Sequence, residues 1–109
     1  MAISIETNGG ICRLRVEDDM TIYNAVEFKQ VFLANLPGCA EMEINLSGVG
    51  EMDTAGFQML LLAKREAAGH GKNLRLVAHS PATLEVLDLY NMAGYFGDPV
   101  VMPPPQKAA

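Results

Sequence analysis

Residues 41–71, EMEINLSGVGEMDTAGFQMLLLAKREAAGHG, decide the fold. Glu41, Met42, Glu43, Ile44, Asn45 and Leu46 alternate polar and apolar, the period of a half-buried strand. Ser47-Gly48-Val49-Gly50 is a turn cluster. Apolar density then jumps at Phe57 and persists for about four helical turns. Asp53 stands where a helix N-cap belongs, because its carboxylate accepts free N–H groups of the first turn. Thr54 then takes the first helical position, at a loop tip beside orphan donors and the positive end of the helix dipole. Gly56 lets the helix start lie close against other backbone. Gly69 and Gly71 stop the helix after Ala68, with His70 in its last turn.

At ~100° per residue, Leu61, Lys64 and Ala68 fall near Phe57 on this helix. Leu60, Ala67, Gly56, Ala63 and Met59 continue the apolar arc, and the small residues among them permit close packing on a sheet. Thr54, Ala55, Gln58, Leu62, Arg65 and Glu66 occupy the other arc. Leu62 is unusual there: it is either tolerated surface or part of a partner contact. By spacing alone, Asp53-Thr54 is a helix cap worth about 1 kcal/mol. A phosphate on Thr54 is the chemical alternative, held by the helix N-terminus and lying beside the Asp53 carboxylate.

Working outward, Ile3, Ile5 and Thr7 alternate with Ser4 and Glu6 as a short strand. Asn8-Gly9-Gly10 is a hairpin signal. The return strand from Ile11 to Val16 places Cys12, Leu14 and Val16 on one face and Arg13 and Arg15 on the other. Thr21 reads as the N-cap of a helix whose stripe is Ala25, Phe28, Phe32 and Leu36, ended by Pro37-Gly38. Leu74, Leu76 and Ala78 mark a further strand. Ser80-Pro81 caps a last helix with Leu84, Leu87 and either Leu89 or Tyr90 as its apolar face, ending near 91–94. Tyr95-Phe96 reads as a further turn, and Val100-Val101-Met102 as an edge strand or a docking segment.

The order is therefore β-β-α-β-α-β-α. It implies an α/β layer: a mixed sheet opening with a β-hairpin, helices packed mainly on one face, and right-handed parallel crossovers. The 109 residues predict one domain over 1–102 and a flexible, proline-rich tail over 103–109.

Half of the chain is apolar and 19% is charged, which suits a packed core rather than disorder. The net charge of −5 argues against a nucleic-acid partner. No apolar run reaches the roughly 18 residues of a membrane span, and Met1-Ala2-Ile3-Ser4 lacks the features of a signal peptide, so no membrane insertion and a cytoplasmic location are expected. Cys12 and Cys39 have no paired spacing and read as reduced packing residues; neither a zinc motif nor a CxxC motif is present. No catalytic group, metal site or cofactor is expected. Asp53 at a strand–loop–helix junction raises receiver-type phosphoacceptor chemistry, but the opening hairpin does not match a receiver's β-α-β start. His70 and His79 lack triad spacing, and no phosphate-cradling GxxxxGK[ST] occurs.

Ile44-Asn45-Leu46-Ser47-Gly48-Val49 followed by Met52-Asp53-Thr54-Ala55-Gly56-Phe57 resembles the central signature of STAS domains, the sulfate-transporter and anti-sigma-factor-antagonist domains. Leu74-Arg75-Leu76-Val77, Ser80-Pro81 and the leucine-rich helix resemble that family's continuation, so the likeness spans about residues 3–96. It implies a mixed sheet with helices largely on one side. For the antagonist branch it implies a non-enzymatic module that binds a GHKL-type serine/threonine kinase acting as an anti-sigma factor. The kinase phosphorylates a serine directly after the motif aspartate, where this chain has threonine, and a phosphatase reverses this. By position the phosphoacceptor is Thr54. Only one hydroxyl of the family's usual pair is kept, since Ala55 follows, and 16–21 lacks the family's frequent glycine.

The expected partner surface is the 50–54 loop with Asp53, Thr54, Gln58, Leu62 and Arg65. The same resemblance extends to STAS subunits of bacterial lipid-transport ABC systems and to chemotaxis-associated STAS proteins, where no phosphate switch is implied. The hairpin's exposed edge also allows a homodimer.

Overall fold

The structure, a computed structural model, describes residues 2–89. It contains β1 (Ile3–Asn8), β2 (Ile11–Val16), α1 (Ala25–Asn35), β3 (Glu41–Leu46), α2 (Thr54–Gly69), β4 (Asn73–His79) and α3 (Pro81–Leu89). The order expected from the sequence is the order observed. The anticipated helix end at 91–94, the 95–96 turn, the 100–102 segment and the 103–109 tail lie outside the described residues.

The four strands form one sheet in the order β1-β2-β3-β4. β1 pairs antiparallel to β2 through a turn at Gly9-Gly10, both with positive φ, which a side chain would strain. The β2–β3 and β3–β4 pairs are parallel. An irregularity follows Ile44, where Asn45 pairs with Ala78 and Val77 is passed over. Cys12, Leu14, Val16, Met42, Ile44, Leu46, Leu74 and Leu76 are buried on one face. Phe28 and Phe32 of α1, Phe57, Leu60, Ala63 and Ala67 of α2, and Leu87 of α3 close that core. The other face carries Arg13, Glu43 and Arg75. Arg13 Nε lies 3.0 Å from Glu43 Oε1, Arg75 is paired to the same carboxylate, and Arg75 Nε lies 3.5 Å from Glu41.

Three local expectations are corrected. First, Thr21 does not cap α1. Its Oγ1 accepts from Tyr23 N at 3.3 Å and its carbonyl from Asn24 N at 3.0 Å, forming a turn, and the helix begins at Ala25. The cause is tertiary. Met20 pairs with Met52, and Ile22 N–H is taken by Asp53 Oδ2, so the approach to α1 is tied to the next loop and the helix starts one turn later.

Second, α3 buries Leu87 and half-buries Leu84 as expected, but it buries Thr83 as well and leaves Leu89 exposed; Tyr90, the alternative to Leu89, lies outside the described residues. Thr83 is tolerated in the core because Ser80 Oγ lies 2.9 Å from its hydroxyl and accepts its N–H at 3.2 Å.

Third, Cys12 and Cys39 are not reduced packing residues: they form a disulfide, with Cα atoms 5.7 Å apart. The connection entering β3 folds back on the hairpin, with Ala40 N donating to Gly10 O at 2.8 Å. This brings together two cysteines separated by 27 positions. No described helix is long and apolar enough to cross a membrane.

Candidate functional site

The loops leaving the carboxyl ends of β2 and β3 meet at one pole of the molecule. Two backbone bonds join them: Met20 N to Glu51 O at 2.8 Å and Asp53 N to Met20 O at 3.2 Å. Asp19 Oδ1 accepts from Glu51 N at 3.0 Å, and Asn24 Nδ2 donates to Asp19 O at 2.7 Å. The pairing is close enough that a Cβ on Gly56 would lie 2.0 Å from the Met20 carbonyl oxygen. Only glycine allows the first turn of α2 to seat there.

Asp53 joins both sides. Its Oδ1 accepts from Gly56 N at 3.0 Å, capping α2 as the sequence implies, and its Oδ2 accepts from Ile22 N at 3.0 Å. The Gly56 bond is the main reason its pKa lies below the ordinary value. Slight burial acts the other way, and the N–H groups of Ile22, Ala55 and Asp53 itself add to the lowering. Asp53 is therefore a fixed anion that clamps one loop to the next helix.

Thr54, the first residue of α2, is exposed. Gln58 and Arg65 are exposed along the same helix, and Leu62 is half-buried rather than open. The helix thus brings Thr54 and Gln58 together on one surface, while Leu62 contributes only an edge.

Sequence reasoning missed the neighbouring surface. Ile22 is 65% exposed, Tyr23 91% and Val26 65%; Ile22 is bonded to the Asp53 clamp through its N–H, and Tyr23 lines a cleft with Asp53. A signal was available: these three apolar residues lie off the stripe of Ala25, Phe28 and Phe32. Tyr23 also shares a shallow cleft with Thr21, Glu51, Met52, Asp53 and Glu85. His79, at the end of β4, has its pKa lowered by burial. Among the described residues no group of three or more His, Cys, Asp or Glu side chains is placed to hold a metal.

A four-stranded mixed sheet in the order β1-β2-β3-β4, with the described helices on one face and an aspartate-capped helix start at its pole, defines the class of fold. A family model described as "Mlab, STAS domain" matches residues 3–102. The chain belongs to the STAS family. No curated protein matches it. Among solved structures, it is similar to an anti-sigma factor antagonist from Mycobacterium paratuberculosis, with 22% identity, a TM-score of 0.79, and coverage of 92% of this chain and 86% of that one. A putative anti-sigma factor antagonist from Thermotoga maritima gives 21%, 0.80, 88% and 84% in the same order. The phosphorylated form of SpoIIAA from Bacillus gives 14%, 0.70, 92% and 93%. At these identities the likenesses establish the fold.

Proposed function

We propose that this chain is a non-enzymatic, cytoplasmic protein–protein interaction module of the anti-sigma-factor-antagonist type, switched by phosphorylation of Thr54. One observation carries the reading: an exposed hydroxyl on the first residue of α2, directly after a capping aspartate that organises both pole loops. The Asp53 carboxylate already occupies the Gly56 N–H, so a phosphate on Thr54 is not absorbed into that cap bond. It projects from the surface and adds about −1.5 to −2 charges where a partner would pack. The proposed partners are a GHKL-type kinase acting as an anti-sigma factor and a phosphatase that restores the hydroxyl. Asp53, Thr54, Gln58 and Arg65 form the contact, with Leu62 at its edge.

The test is a pull-down of the tagged chain from its own cells, with mass spectrometry of partners and of Thr54. Thr54→Ala is expected to keep the partner bound, and Thr54→Glu to weaken it at least tenfold. If both variants bind as the wild type does, the switch is wrong.

The family description favours a second reading. In it the chain is a STAS subunit of a lipid-transport ABC system, and Thr54 is an unmodified contact residue. Recovery of a transporter ATPase with unmodified Thr54 would select that reading.

A further inference from the structure

The pole around Thr54 carries two features whose combination constrains what docks there. The first is apolar: Ile22, Tyr23 and Val26 are 65%, 91% and 65% exposed and lie within five consecutive positions. The backbone that carries them is tied down: Asp53 Oδ2 accepts from Ile22 N, Thr21 Oγ1 accepts from Tyr23 N, and Val26 stands on the first turn of α1. Exposed apolar groups on a tethered backbone suit an interface anchor, since less backbone entropy is lost on docking.

The second feature is charge. Glu51, Asp53 and Glu85 line the cleft beside Tyr23, and among the described residues no lysine or arginine does. Two copies meeting through this pole would set these carboxylates against each other, which disfavours self-association here.

We infer that the Ile22–Tyr23–Val26 patch docks into an apolar cleft on a distinct protein whose rim is cationic. Tyr23 fills the cleft, and Glu51 and Glu85 face the partner's basic groups. The inference rests on the binding reading above and adds the partner's surface chemistry. It also changes how a switch at Thr54 would work. Against a cationic rim, a dianion on Thr54 strengthens long-range attraction. Release must then come from broken close packing, and so from faster dissociation rather than slower association.

The test places a photo-crosslinking benzophenone amino acid at position 23 of the full tagged chain in its own cells. Position 58 serves as a second probe of the pole, and position 33, at the far end of α1, as a control. The captured protein is then purified, and its association with the wild-type chain is timed at 50 and 300 mM salt. Both adduct and association are compared in the Glu51→Lys/Glu85→Lys double variant.

We expect a position 23 adduct with a distinct protein. Its association rate should fall about tenfold across that salt range, and the double variant should lose most of this dependence. Tyr23→Ala should weaken binding at least tenfold, mainly through dissociation, with the thermal midpoint unchanged.

An adduct from position 58 but not from 23 overturns the patch while leaving a binding module. An adduct to a second copy, or to residues 90–109 of the same chain, overturns the distinct partner. Association indifferent to salt overturns the cationic rim. No adduct from either 23 or 58 overturns the patch and the binding reading together. A position 23 adduct that survives Thr54→Glu with unchanged dissociation keeps the patch and removes the switch.

Discussion

At the scale of single residues, Asp53 and His79 each contribute a pH dependence. Asp53 has a lowered pKa, so its contribution to stability is full above the ordinary value of 3.8 and is lost as pH falls below it. Its exposure to solvent keeps that contribution small. Asp53→Asn keeps an acceptor for Gly56 but turns an amide donor toward Ile22 N–H. It should cost about 1 kcal/mol at neutral pH, and the gap from wild type should narrow in urea titrations below pH 4. His79 works in the other sense, because burial favours its neutral form. Below the ordinary value of 6.5 the unfolded chain takes up the proton more readily than the folded one. Stability should therefore decline as pH falls through that value, and His79→Gln should flatten the decline. An equal slope in wild type and variant would assign the effect elsewhere.

At the scale of elements, the start of α2 and the entry to β3 are the two tight joints. Gly56→Ala forces a methyl against the Met20 carbonyl, which is backbone and cannot rotate aside. The expected loss is about 1–3 kcal/mol or more, read as a lower thermal midpoint. Amide shifts should spread over residues 20–24 and 51–57, because both loops must part. The Cys12–Cys39 bond closes a loop of 27 positions. Chain-entropy arguments give such a loop about 3.5 kcal/mol of stabilisation. Dithiothreitol or Cys39→Ser should lower the urea-unfolding free energy by about 2–4 kcal/mol. Two thiols titratable in the unfolded, unreduced chain would show that the bond does not form in solution.

At the scale of the molecule, among the described residues, the sheet is covered on one face and open on the other. The open face is stabilised by paired charges rather than packing, with Glu43 between Arg13 and Arg75. Among the described residues β1 is an edge strand, pairing on one side only and exposed for most of its length. Hydrogen exchange should therefore be slowest at Leu14, Ile44 and Leu76 and markedly faster in β1. Protection of β1 equal to that of β3 would indicate that its free edge is paired, as a homodimer through the hairpin would do.

Much of this was written in local patterns. Alternation marked the strands, the Asn8-Gly9-Gly10 signal marked the hairpin, the Phe28–Phe32 spacing marked the buried face of α1, and Asp53 marked the start of α2. Each depends on residues a few positions apart, where period and capping chemistry operate. Family membership was legible for the same reason, since its signature is one strand, loop and helix start. What the chain could not reveal locally depends on encounters between distant segments. Cys12 and Cys39 meet because the β3 entry folds over the hairpin. The helix start moves from Thr21 because Asp53, far along the chain, takes the Ile22 N–H. Leu62 turns partly inward, while Ile22, Tyr23 and Val26 stay outside. Burial is a property of what packs on a residue, and that partner is chosen only when the loops of β2 and β3 close on each other.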